Sequence, residues 1–282
     1  MPDAAILTET LTRRFGSADT GLLAVDRVNL RVETGQFFGF LGPNGAGKST
    51  TIKMLTGLLE PTDGRIRILG LDLYTQPVEV KRQIGVVPEG LALFERLTAA
   101  EYLNFAGRMY GLDGPIAAQR ATELLDFTEL APRAHTQIGE FSHGMKKKLA
   151  LSAAVIHGPR VLFLDEPFEG VDAVAAATLR SLMMRMVASG VTIFLTSHVL
   201  EIVERLCSHV AIIHKGQLVA QGSLAELRSG VEARAAQASG GSGAAASPLL
   251  GRPGEKLTLE QIFLEIVGGA RATTDQELSW LR

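Results

Sequence analysis

Cysteine is almost absent, Cys207 being the single one in 282 residues. That excludes an internal disulfide framework and suits a reducing compartment. Beside Leu206, Cys207 reads as a small buried hydrophobe. Charge is nearly balanced, with a formal net value of −2 and no long basic block, which argues against nucleic acid as the main ligand. No apolar run approaches the roughly 20 residues that a membrane-spanning helix needs. No secretory leader is expected, because Asp3, Glu9, Arg13 and Arg14 interrupt the N-terminus before an apolar core could form. The chain is therefore expected to be soluble, and if it works at a membrane another subunit supplies the span. Internal repeats are missing as well. What remains is globular material: apolar residues make up 46%, enough for a sizeable core in one large domain or two small ones.

The chain is organised around Gly42-Pro43-Asn44-Gly45-Ala46-Gly47-Lys48-Ser49-Thr50. The apolar run 36–41 ahead of it reads as a buried strand, and 51–59 behind it reads as a helix. A glycine loop between strand and helix fits the pattern G-x-x-x-x-G-K-[ST], with Gly42, Gly47, Lys48 and Ser49 at the defined places. Such a loop wraps backbone N–H groups around phosphate oxygens, and the helix N-terminus adds roughly half a positive charge. Lys48 is placed to neutralise β- and γ-phosphates, and the Ser49 hydroxyl to ligate Mg2+. The competing reading, a chance glycine turn, leaves both flanking elements unexplained. The stretch predicts a nucleotide site.

Around it, short strands are expected at 6–8 and 28–32. Phe15, in Thr12-Arg13-Arg14-Phe15-Gly16, is either core or an aromatic face for a purine base. The alternation at 65–69 predicts a half-buried strand, and 83–88 a short one ended by proline, with Glu89 just beyond. From 98 to about 130 the composition is helical. Ser142 is a good N-cap for the next helix, whose free N–H groups suit an anion, and Lys146, Lys147 and Lys148 read as its solvated face. The apolar run 161–164 ends in Asp165-Glu166, as a strand buried on both faces would at the ligand-binding edge of a parallel sheet. There Asp165 can hold Mg2+ through water, and Glu166 can polarise a water; the plainer reading is a helix-capping pair. A second such strand, 191–197, ends in His198, which is either structural or a γ-phosphate contact. Residues 209–221 read as a hairpin turning at Lys215-Gly216. Residues 229–251, rich in Ala, Gly and Ser, read as a flexible linker, and the tail returns to amphipathic helix through Leu257, Leu259, Ile262, Phe263, Ile266 and Val267.

In order and spacing these motifs resemble the ATP-binding cassette family over about residues 5–228. Gly42 to Thr50 resembles its Walker A, and Val161 to Glu166 its Walker B with the catalytic glutamate. Ser142-His143-Gly144-Met145 resembles the signature, Glu169-Gly170-Val171-Asp172 the D-loop, His198 the switch histidine and Phe15 the aromatic residue that stacks on adenine. The resemblance implies an α/β P-loop ATPase fold, with a parallel-sheet core, an antiparallel β subdomain and an inserted helical subdomain at about 90–158. It places the nucleotide-binding domain at 1–230, a linker at 231–255 and a helical tail at 256–282. ATP and Mg2+ are the implied ligands, with Ser49, Glu89 and Asp165 at the metal and Glu166 and His198 in catalysis.

Two departures stand out. Glu89 occupies the Q-loop position, usually glutamine, and keeps an oxygen for Mg2+ while adding charge beside the γ-phosphate. The signature carries Phe141, His143 and Met145 where the general family has Leu, Gly and Gln. This variant is similar to the branch that includes bacterial drug-resistance, antibiotic-export and sodium-export ATPases. The family mechanism implies a head-to-tail pair of cassettes, homodimeric or with a sister cassette, in which Ser142 and Gly144 act on the partner's ATP. It implies a polytopic membrane subunit, a cytoplasmic place on the inner face of the membrane, and no nucleic acid. The main rival, a soluble cassette ATPase of DNA repair or translation, is disfavoured: the stretch from Lys48 to Ser142 lacks sustained heptads, and the chain has one cassette.

Overall fold

The computed structural model describes residues 4–17, 21–239 and 257–268. Strands β1 (Ala4–Phe15), β2 (Leu22–Val28) and β3 (Arg31–Glu33) precede β4 (Phe37–Leu41), the glycine loop and helix α1 (Lys48–Leu55). Strands β5 (Asp63–Ile68) and β6 (Leu71–Asp72), helix α2 (Pro77–Gln83) and strand β7 (Ile84–Val87) follow. Helices α3 (Ala99–Met109), α4 (Gly114–Phe127) and α5 (His143–Val155) lead to β8 (Val161–Asp165), α6 (Ala173–Ala188), β9 (Thr192–Ser197) and α7 (Leu200–Leu206). The hairpin β10 (His209–His214) and β11 (Gln217–Ser223) and helices α8 (Leu224–Ser239) and α9 (Leu259–Gly268) complete the described residues.

The central sheet runs β11-β10-β4-β9-β8-β7. All its pairs are parallel except the β10–β11 hairpin. Every residue of β4, β8 and β9 is buried, as expected of parallel strands covered on both faces. Alternate residues divide between two cores. Phe38, Phe40, Phe163 and Phe194 face the antiparallel sheet β2-β1-β5-β6, which also holds β3 on β1. The rings of Phe38, Phe40 and Phe163 lie 5.4 to 5.8 Å from that of Phe194, and burying each of the four contributes roughly 1.5–3 kcal/mol. Phe37, Leu41, Leu162, Leu164, Ile193 and Leu195 face α5, α6 and α7. A third core, from Leu103, Leu125, Ile138, Phe141, Leu149 and Ile156, joins α3 and α4 to α5 and makes the helical subdomain. Its first helix starts at a capping box between Thr98 and Glu101.

Three sequence expectations need correction. The run 28–32 is not one strand, because β2 ends at Val28 and β3 starts at Arg31. The buried Thr8 hydroxyl holds the break open, donating to Val28 O and accepting from Leu30 N, each at 2.9 Å. The strand expected at 6–8 is the interior of the much longer β1. The linker expected from residue 229 or 231 begins as helix, since α8 continues to Ser239. Residues 231–239 carry Ala233, Ala235, Ala236 and Ala238, and alanine has the highest helix propensity. The glycines that argue for a linker, from Gly240 on, lie outside the described residues. The described part of the tail, α9, packs on α7 and α8 with Leu259 and Ile262 buried.

Candidate functional site

The parallel strands β4, β9 and β8 end side by side, with Leu41 paired to Ser197 and Asp165 to Thr196. The residues that follow each strand are thus delivered to one edge of the sheet: the glycine loop after β4, His198 after β9, and Glu166 after β8. A cleft of about 720 Å3 opens there. Asn44, Gly45, Gly47, Lys48, Ser49 and Thr50 line it, together with Glu89, Glu166, His198 and Phe15.

Sterics dictate glycine at two points of the loop. A Cβ on Gly42 would sit 2.4 Å from Ile213 O. Gly47 has φ +112°, and its Cβ would meet Ala24 O at 2.5 Å. Lys48 opens α1, and its buried Nζ donates to Gly42 O at 2.7 Å. The β10–β11 turn is pinned against the loop, Gly216 N donating to Ala46 O at 2.9 Å and Asp26 N to Gly216 O at 2.8 Å. That brings Lys215 to the cleft. Phe15 is 39% exposed, and the Arg13 guanidinium carbon lies 4.7 Å from its ring centre. The ring therefore has a cation on it and a place in the cleft wall.

The carboxylates are held tightly. Asp165 is buried and accepts from Thr196 Oγ1 at 2.6 Å, and Ser49 Oγ lies 3.4 Å from the same oxygen. Thr196 in turn accepts from Glu166 N at 3.1 Å. Glu166 is buried with φ +48°, a left-handed conformation in a side-chain-bearing residue, which costs on the order of 1–3 kcal/mol and is a mark of functional sites. Its Oε2 accepts from His198 N at 3.2 Å and contacts His198 Nδ1 at 3.0 Å.

Lys146, Lys147 and Lys148 are not a solvated face. Lys146 pairs with Glu95 and Lys148 with Glu129, at 2.7 and 3.0 Å. Lys147 is buried and donates to Glu166 O at 3.1 Å. Helix α5 lies between the helical subdomain and the sheet, which leaves it little free surface.

Ser142, Gly144 and Asp172 form a separate cluster and do not line the cleft. Ser142 caps α5 by accepting from Met145 N at 3.3 Å. Asp172 caps α6, accepting from Val174 N and Ala175 N. The Ala175 N–H bond holds the Asp172 carboxyl below the usual range. A Cβ on Gly144 would meet Asp172 Oδ2 at 3.1 Å, and His143 Nε2 lies 3.2 Å from Glu169 O. The two helix N-termini are thus packed against each other. Gly42, Pro43, Ala46 and Asp165 are not among the lining residues.

Sequence reasoning missed the roles of Thr196, Lys147 and Lys215, the last of which lines the cleft, as does Glu169, read in the sequence only as the start of the D-loop. A hydroxyl late in the apolar run 191–197 is the signal for Thr196, since a buried polar group is the informative observation. The signal for Lys147 is its place on α5 between Gly144 and Leu151, on the buried face.

Fold and site together define a P-loop ATPase of the cassette type. Residues 25–169 match the family model described as ABC transporter, and the chain belongs to that family, among its ATP-binding subunits. It is 40% identical over 203 residues to the linearmycin resistance ATP-binding protein LnrL of Bacillus subtilis, covering 72% of this chain and 65% of that one. To the bacitracin transport ATP-binding protein BcrA of Bacillus licheniformis it is 38% identical, over 76% of this chain and 68% of that one. A solved ATP-binding subunit of an ABC transporter superposes with a TM-score of 0.78 at 32% identity, covering 93% of this chain and 99% of that one. Among the described residues no helix is long and apolar enough to cross a membrane.

Proposed function

We propose that this chain binds ATP in the cleft and hydrolyses it to power a membrane exporter. The observation that carries the reading is the Glu166 carboxylate, buried and held by His198 in the same cleft as the glycine loop. Phe15 stacks on the base. Lys48 leaves its loop carbonyls for the β- and γ-phosphates, and the loop N–H groups bind the remaining oxygens. Ser49, Asp165 and Glu89 offer a hydroxyl and carboxylates, the hard oxygen donors that Mg2+ selects, and would hold it. When bound, Mg2+ neutralises charge on the phosphate oxygens. Oε2 of Glu166 is taken by His198, which leaves Oε1 to accept the proton of the attacking water.

Ser142 and Gly144 sit apart from their own chain's cleft, which fits a role on a second cassette's ATP, with Asp172 beside them. Two cassettes, identical or sister chains, would close head to tail and reopen on hydrolysis. The segment 89–98 leads from Glu89 into the helical subdomain and would pass that motion to a polytopic membrane subunit, which sets the substrate. The chain would then lie on the cytoplasmic face of the membrane, with no nucleic-acid partner. Resistance to linearmycin and transport of bacitracin, in the names of two relatives, support the export reading.

Affinity purification from mildly solubilised membranes tests the reading. One polytopic membrane protein at stoichiometric level is expected. Recovery only from the soluble fraction, with ribosomes, nucleic acid or nothing, would overturn it.

A further inference from the structure

Lys147 is 2% exposed, the most buried charged side chain among the described residues. Burial pushes its amine below the ordinary lysine range, against the opposing pull of Glu169, Glu89, Asp165 and Glu166. Its neighbours Leu149, Ala150 and Leu151 on α5 are apolar and buried. An apolar side chain would fill this place without the desolvation of an ammonium, so the charge calls for a reason. The hydrogen bond from Nζ to the carbonyl of Glu166 supplies one.

That carbonyl belongs to the left-handed residue at the end of β8. Its peptide groups are tethered at three points: Thr196 Oγ1 on the N–H, and Glu169 N and Lys147 Nζ on the C=O, at 3.2 and 3.1 Å. Two of these tethers come from the segments around the cleft, Thr196 from β9 and Glu169 from the turn after β8. Lys147 alone reaches in from α5, the helix that begins at Ser142 and Gly144.

We propose that Lys147 is a positioning residue for Glu166, fixing the backbone from which its carboxylate is directed at His198 and the cleft. It is also a rigid link from the signature end of α5 to the catalytic carboxylate of the same chain. Movement of the helix N-terminus at one nucleotide site would be felt at the base of the other. This rests on Glu166 as the base, so the test separates the two claims.

The experiment compares Lys147→Met with wild type, and Lys147→Met/Glu166→Gln with Glu166→Gln, in steady-state ATPase activity and in affinity for Mg-ATP. Misdirecting a base is expected to lower kcat about 10-fold or more, with the dissociation constant for ATP unchanged within about twofold. In the Glu166→Gln background the added loss should be less than about twofold, because the residues act as a unit. Lys147→Arg, which keeps a donor, should retain more turnover than Lys147→Met. Unchanged kcat in Lys147→Met, or equal proportional losses in both backgrounds, overturns the positioning role. Wild-type turnover in Glu166→Gln alone overturns the base assignment and the positioning with it. If Lys147→Met fails to fold, Lys147→Gln is read against the same criteria.

Discussion

His198 Nδ1 lies 3.0 Å from Glu166 Oε2, and the backbone N–H of His198 binds the same oxygen at 3.2 Å. One residue thus grips one oxygen with both side chain and backbone. The main-chain half of the grip survives substitution of the side chain by any residue but proline, which has no N–H. His198→Ala is therefore expected to lower kcat by about 10- to 100-fold, short of what loss of a general base costs, and to leave ATP affinity within about twofold. Steady-state kinetics with a separate binding measurement checks this.

Thr196 donates to Asp165 at 2.6 Å and accepts from Glu166 N. Thr196→Val keeps the shape and removes both bonds, leaving a buried carboxylate oxygen and an N–H short of a partner. That costs about 1–3 kcal/mol, a fall in melting temperature of roughly 2–5 °C at this size. Thr196→Ser should recover most of it. Thermal unfolding of the three proteins decides.

His157 stacks on Tyr110 with ring centres 3.7 Å apart, and its Nε2 donates to Ile84 O at 3.0 Å. Its Nδ1 is buried without a partner, so protonation would strand a second N–H. Burial accordingly holds the imidazole below its ordinary value of 6.5. A folded pKa below the unfolded one gives stability that is full above about 6.5 and is lost as pH falls through the folded value. The melting temperature should drop between pH 7.5 and 5.5, and drop less in His157→Gln. Equal drops in both proteins would contradict this.

Leu257, Leu259 and Ile262 bury themselves against the parent domain, and the Arg228–Glu204 pair clamps the same segment by binding Leu257 O and Leu259 N. Truncation after Ser239 should lower the melting temperature by more than about 5 °C, at roughly 1.5–3 kcal/mol per buried side chain. Turnover and ATP-driven dimerisation should survive. Unchanged stability with lost turnover would make the tail regulatory instead.

Much of the site was legible because its residues follow one another in short, rigid motifs. A glycine loop read between strand and helix could only be the start of α1, and Asp165-Glu166 after four apolar residues had to stand at a strand end. The hairpin at Lys215-Gly216 was legible from its turn. What escaped was contact across long separations: nothing near Lys147 points to Glu166, and nothing near Thr196 points to Asp165. The lysine run misled because charge was read as exposure, whereas α5 is enclosed by the helical subdomain and the sheet. At Val28–Arg31 the local pattern was good for a strand and lost to the Thr8 hydroxyl from another one. Alanine in 231–239 was read with the glycines beside it, though the two pull in opposite directions.

Glu166 is proposed as the base of a site closed between two cassettes. Light scattering on size-exclusion chromatography of Glu166→Gln, with and without Mg-ATP, tests it most directly. With hydrolysis blocked and the nucleotide contacts intact, a dimer is expected with ATP and a monomer without it. The same molecular mass under both conditions, or ATP turnover at the wild-type rate, would contradict it.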